Sequence, residues 1–231
     1  MSPTSDLDEF YRLLAELEAR IGGRRRLAKC RAKMGWPKRG VYFFFEPGEH
    51  RADDPASPRV VRVGSHALTV NSKTTLWKRI YQHRGTLAPY GGNHRGSIFR
   101  LIVGDALMRR NPEWAIPGWG NGNTAPRETR EAEIPHEARV SDHLGKMTLL
   151  FVSVPDAPGP QNARGFIERN AIALLSGCRD KPSADWLGRH SSREPVRQSG
   201  LWNSNHVGED CDPAFIARFA EFVGQAQDPS F

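Results

Sequence analysis

The stretch from Gly40 to His83 constrains the fold of this chain more than any other. Gly40-Val41-Tyr42-Phe43-Phe44-Phe45-Glu46 and Val60-Val61-Arg62-Val63-Gly64 are β-branched and aromatic runs bounded by Gly, Pro and Asp, which predicts two short strands. Pro47-Gly48 and Asp53-Asp54-Pro55 supply turn chemistry between them, so the two runs read as a hairpin with a long loop. From Thr75 to His83 the period changes: Leu76, Ile80 and His83 recur at helical spacing, and Arg79 falls on the same stripe. Strand alternation puts Val41, Phe43 and Phe45 on one face and Tyr42 with Phe44 on the other, while Arg62 opposes Val61 and Val63. A phenol, two guanidiniums and an imidazole can therefore converge, a set that suits a phosphodiester. Spacing alone favours the ordinary alternative, a half-buried strand tyrosine and a solvated helix arginine, since both are common.

A chain of 231 residues can form one substantial core, or one domain with additions. Its net charge of +7 favours a polyanionic partner or an anionic surface. There is no run of about 18 apolar residues and the N-terminus is acidic and polar, so nothing argues for export or membrane insertion. Cys30, Cys178 and Cys211 lack metal-ligand spacing and read as reduced cytoplasmic thiols. His50, His94, His136, His143, His190 and His206 show no zinc-type pairing.

In chain order, Leu7 to Ile21 has a helical period, with Ser5 or Asp6 as cap and Gly22-Gly23 as stop. Arg24-Arg25-Arg26, with Lys29, Arg31, Lys33, Lys38 and Arg39, is either a phosphate-binding arm beside the active face or an exposed, solvated helix end. Beyond His83, Pro89 to His94 reads as loop, Ser97 to Val103 as a strand, Asp105 to Arg110 as a helical turn and Pro112 to Thr129 as a long loop. Arg127 to Leu144 is polar and partly helical, and Met147 to Val154 is apolar enough for a central strand. A helix from about Ala163 to Ser176 follows, ended by Gly177. Glu168 sits on its apolar stripe, one turn before Ile172, so its carboxylate needs a metal, a cation or a hydrogen-bond donor. A buried salt bridge is the commoner answer. Cys178 to Gly200 reads as a polar loop, and Asp212-Pro213 starts a last amphipathic helix with Phe215, Ile216, Phe219, Phe222 and Val223 inward. Asn203 or Asn205 can brace the active face by hydrogen bonding, or serve only in turns.

Gly40-Val41-Tyr42, Arg62-Val63-Gly64, Lys78-Arg79-Ile80 with His83, Phe166-Ile167-Glu168-Arg169-Asn170 and Leu201-Trp202-Asn203 together resemble the GIY-YIG nuclease family. The resemblance covers most of Gly40 to Val207, with Arg62 standing where the family usually has its second tyrosine. It implies an α/β (α+β) fold: a small, mainly antiparallel sheet with flanking helices, one long insertion and added terminal helices. The expected division is an N-terminal helix and basic arm at 1–39, the nuclease-like domain at 40–207 with an insertion at about 85–145, and a C-terminal helix at 208–231. The implied function is a cytoplasmic, metal-dependent endonuclease on DNA, RNA being the other nucleic acid to test, with homodimerisation open. One Mg²⁺ or Mn²⁺ would be held by Glu168. Tyr42 would take or relay the proton of the attacking water, Arg79 would neutralise charge on the phosphate, and His83 would orient groups or exchange protons. Arg62 would be a functional substitution beside Tyr42, and Asn203 would support the site. Arg24, Arg25, Arg26, Lys38, Arg39, His66 and Lys78 are the expected nucleic-acid contacts, although a lone loop histidine such as His66 is more often neither ligand nor proton carrier. Arg62 also suggests the alternative, a nucleic-acid-binding module of the same fold that has lost cleavage.

Overall fold

The chain runs from a helix, α1 (Pro3–Arg20), through a short strand, β1 (Arg25–Arg26), into the hairpin β2 (Gly40–His50) and β3 (Pro58–Gly64). Next come α2 (Leu76–Arg84), the small pair β4 (Thr86–Leu87) and β5 (Tyr90–Gly91), α3 (Ile98–Arg110) and α4 (Arg127–Lys146). Strand β6 (Thr148–Ser153), α5 (Ala163–Ser176), α6 (Glu194–Ser199) and α7 (Phe215–Gly224) follow. The computed structural model describes residues 3–87, 90–177 and 180–227.

The main sheet has the order β1-β6-β2-β3, and every pairing in it is antiparallel. Strand β2 lies inside because Val41 to Phe45 are apolar on both faces and all buried. On one face Phe43 meets Phe10 of α1 at 5.8 Å and Phe219 of α7 at 5.6 Å between ring centroids. On the other, Phe44 meets Phe99 of α3 at 5.3 Å. Such aromatic pairs add about 0.5–1.5 kcal/mol each beyond area burial. The outcome is a mixed α/β architecture in three layers, the antiparallel sheet lying between helices. The terminal helices α1 and α7 share one layer, and residues 85–145 supply α3 and α4 to the other. Among the described residues no helix is long and apolar enough to cross a membrane.

Several local expectations need correction. Ser97 to Val103 is not a strand. Ser97 Oγ accepts from the Arg100 backbone N–H at 3.3 Å and caps α3, whose Phe99, Ile102, Val103, Ala106 and Leu107 form a buried helical stripe. Strand β2 does not stop at Pro47-Gly48 but continues to His50, with register shifts beyond Phe44 and a positive φ of 86° at Gly48. Segment α4 is helical throughout and contains Pro135. Helix α1 begins at Pro3, so Asp6 lies in its first turn rather than capping it. In the expected polar loop 178–200, Trp186, Leu187 and Val196 are buried and α6 forms. The Trp186 and Trp202 indoles donate to the buried Glu46 at 3.0 and 2.9 Å, which ties this tail to the sheet. Phe222 is only half-buried. Cys30 and Cys211 are free thiols, whereas Pro89 and Cys178 lie outside the described residues.

Candidate active site

Tyr42 and Arg62 share a sheet face because Tyr42 pairs with Gly64 and Phe44 with Arg62 across the hairpin. Helix α2 presents His83 to that face. The Tyr42 hydroxyl is 2.8 Å from His83 Nε2, and His83 Nδ1 is 2.7 Å from Ser97 Oγ, all three side chains being buried. Burial holds the His83 imidazole well below its ordinary pKa, and Arg79, Arg62 and Arg100 push it the same way. His83 is thus a neutral imidazole near neutral pH, with one donor and one acceptor nitrogen.

Arg62 is buried, donates to the Trp202 carbonyl and lies over the Phe99 ring at 4.6 Å. Burial lowers its pKa from the ordinary value, while the nearby Tyr42 hydroxyl and Glu168 carboxylate favour its charge. Asn203 pairs with the Val63 backbone as a strand would, accepting from the N–H at 3.1 Å and donating to the carbonyl at 2.9 Å. It therefore braces β3 just before Gly64, whereas Asn205 is exposed.

Glu168 and Arg79 are the more open members of the cluster. Glu168, on α5, is half-buried rather than sunk in the apolar stripe, and one of its oxygens accepts from Ser65 Oγ. Arg79 is half-buried on α2, donates to the Gly96 carbonyl at 3.4 Å and keeps a buried Nε without a partner. His66 is buried rather than a free loop histidine: its Nε2 is 3.3 Å from the Lys38 carbonyl and its Nδ1 is unpartnered. Among the described residues no three His, Cys, Asp or Glu side chains cluster as a metal cage. A half-open carboxylate with one oxygen uncommitted instead fits an ion that keeps most of its water, as Mg²⁺ does.

The glycines of the two tripeptides have a steric reason. A Cβ on Gly64 would fall inside the Tyr42 phenol, and one on Gly40 would strike the Val152 carbonyl. Gly64→Ala should therefore displace Tyr42 and cost about 1–3 kcal/mol, the usual penalty for overpacking. Urea unfolding monitored by circular dichroism measures this, and an unchanged midpoint would contradict it.

Protonation gives a second expectation. Burial pushes His66 down to about 4, with Arg164, Arg79 and Arg39 contributing against the opposing Lys38 carbonyl. Below an ordinary histidine value of about 6.5 the unfolded chain then binds more protons than the folded one. Stability is therefore fully present above about 6.5 and lost as pH falls toward 4, and His83 acts in the same direction. The urea midpoint should fall between pH 7 and pH 5, and fall less in His66→Asn. A midpoint that rises on acidification would contradict the buried, neutral histidines.

The triple arginine of the basic arm is not at this cluster, whereas the Lys38 end of the arm runs beside His66. Strand β1 occupies the sheet edge opposite β3. Arg24 pairs with Glu18 at 2.8 Å and covers Phe45, Arg25 lies against Trp36 and Phe151, and Arg26 donates to the Gly145 carbonyl at 3.3 Å. Lys38 and Lys78 are exposed, and Arg39 donates to the Asp156 carbonyl. Ser65 and Ser97 belong to the cluster without having been singled out from sequence. Ser65 was legible as the neighbour of Gly64, but Ser97 becomes visible only once α3 is recognised.

In comparisons with known proteins, the model of the GIY-YIG domain matches residues 1–229. No curated protein and no solved structure shows significant similarity to the chain.

Proposed function

Because the chain belongs to the GIY-YIG family, a nuclease family acting on nucleic acid, we propose that it is an endonuclease that hydrolyses DNA phosphodiester bonds with Mg²⁺ or Mn²⁺. GIY-YIG nucleases are generally dependent on a divalent metal. The observation that carries the reading is the gathering of Tyr42, Arg62, His83, Arg79 and Glu168, from four separate elements, around the Gly64–Ser65 end of β3. Glu168 would hold the ion, which when bound supplies Lewis-acid polarisation of the scissile phosphate.

The chain's own groups do the rest. Arg79, with its unpartnered Nε, stabilises charge that builds on the phosphate oxygens. Arg62 is a fixed cation behind it, anchored by the Trp202 carbonyl. We assign the His83 tautomer in which Nδ1–H donates to Ser97, leaving Nε2 to accept from Tyr42. Tyr42 then takes or relays the proton of the attacking water and passes its own to His83. Ser65 orients the Glu168 carboxylate, and Asn203 keeps β3 in register beneath it. Exposed Lys38 and Lys78 meet backbone phosphates.

Matched DNA and RNA duplexes of one sequence, incubated with the protein in Mg²⁺, test the substrate. Strand cleavage of the DNA with the RNA left intact is expected. Cleavage of RNA alone would overturn the choice of DNA.

A further inference from the structure

A cavity of about 600 Å³, separate from the Tyr42–Glu168 cluster, lies where α4, the C-terminal ends of α2 and α3, and β1 meet. Arg26, Arg84, Arg110 and Arg139 all line it. None of the four forms an ion pair with a carboxylate among the described residues. Arginines on neighbouring parts of the same layer behave differently: Arg95 pairs with Glu133 and Arg100 with Glu137, each at 2.6 Å. The one acidic side chain of the cavity, Asp142, is taken up by Lys146 at 2.6 Å. Arg84 is buried, its guanidinium pointing among the Cys30 and Gly85 carbonyls and the Trp77 and Tyr81 rings, so its charge is poorly hydrated.

Four guanidiniums with no carboxylate partner around one volume repel one another, and an anionic occupant relieves that repulsion. The remaining lining mixes polar groups, Ser141 and His143 among them, with an apolar and aromatic wall. Leu107 forms part of the wall, and the Trp114 indole lines it with the Arg139 guanidinium 4.7 Å from the ring centroid. The volume falls within the range of small-molecule sites, about 300–1,000 Å³. Guanidiniums beside an indole and a leucine match a ligand that is anionic at one end and a flat heterocycle at the other.

We propose that this cavity binds a nucleoside phosphate, with the phosphate among Arg26, Arg84 and Arg110 and the base along the wall formed by Trp114 and Leu107. The ligand can be a free nucleotide or the 5′-phosphorylated end of a strand, since both present the same chemistry. The proposal stands apart from the nuclease reading, because it uses none of the residues of the Tyr42–Glu168 cluster.

Isothermal titration calorimetry on the full chain carrying Glu168→Ala, to prevent cleavage, tests it. The probes are adenosine, adenosine 5′-monophosphate, adenosine 5′-triphosphate, inorganic phosphate, and a tetranucleotide with and without a 5′-phosphate. At least one phosphorylated nucleoside probe should bind in the submillimolar range, more tightly than adenosine or inorganic phosphate. Arg110→Glu, an exposed substitution, should weaken it about tenfold, and adding Arg139→Glu should weaken it further. Arg109→Glu, on the exposed ion pair with Asp105 outside the cavity, should bind as the parent does. Mononucleotides binding as well as the phosphorylated tetranucleotide would support a free nucleotide as ligand, and binding of the tetranucleotide alone would support a strand end. No binding by any phosphorylated probe, equal binding of adenosine or inorganic phosphate, or binding indifferent to Arg110→Glu would each overturn the proposal.

Discussion

Glu168→Ala should all but abolish cleavage while leaving the fold and nucleic-acid affinity nearly intact. The packing of α5 rests on Ile167, Ala171 and Leu174, which are buried, whereas Glu168 is half-open and bonded to Ser65. Losing one partly exposed carboxylate removes little that holds the domain together. It does remove the one acidic side chain of the cluster, and with it the residue placed to hold a divalent ion. Rates should fall by about a hundredfold to a thousandfold, the scale seen when a group that stabilises transition-state charge is deleted. Single-turnover cleavage, filter binding and urea unfolding on the same preparation separate these effects. Full activity of Glu168→Ala in Mg²⁺ would remove Glu168 from the mechanism.

Arg62→Ala should be costly in both activity and stability. The guanidinium is buried between the Trp202 carbonyl and the Phe99 ring, beside Tyr42. Truncation leaves a buried carbonyl without its donor, which costs about 1–3 kcal/mol before the vacated volume is counted. It also removes a fixed cation next to the phenol that hands on the proton. A guanidinium stays protonated at working pH, so Arg62 itself cannot be the general base. Arg62→Tyr introduces an aromatic hydroxyl at this position, where the family usually has its second tyrosine, and should recover part of the rate that alanine loses. Arg62→Lys should recover less than its charge suggests, because an ammonium cannot reproduce the planar fork. Single-turnover rates against pH, read beside urea midpoints, distinguish chemistry from folding. A wild-type rate in Arg62→Ala would mean that the buried cation is structural only.

What could be read from sequence was local. Alternation placed Tyr42 and Arg62 on one face, and helical spacing brought Arg79 and His83 to it, because strand and helix periods are short-range properties. The boundaries of α5 followed from its apolar period and Gly177. What failed depended on partners distant in the chain. Ile98 to Val103 is a short apolar run that strand and helix satisfy equally. Its helix is fixed by the Ser97 cap and by Arg100 meeting Glu137, 37 residues later. The triple arginine looked like a free cationic arm because its neighbours in space, Glu18, Phe45, Trp36, Phe151 and Gly145, come from four other stretches of chain. The tail 178–200 looked polar because its buried tryptophan and the Trp202 beyond it spend their N–H groups on Glu46, 140 and 156 residues earlier. The cavity beside α4 was invisible for the same reason.

Single-turnover cleavage of an end-labelled DNA duplex by excess wild-type protein, in Mg²⁺ and then in EDTA, asks directly whether the Tyr42–Glu168 cluster hydrolyses phosphodiesters. Product that accumulates in Mg²⁺, stops in EDTA and resumes when Mg²⁺ is restored is the predicted result. Tight binding of the same duplex with no cleavage in either Mg²⁺ or Mn²⁺ would contradict it, and would identify a nucleic-acid-binding protein that has kept the fold without the chemistry.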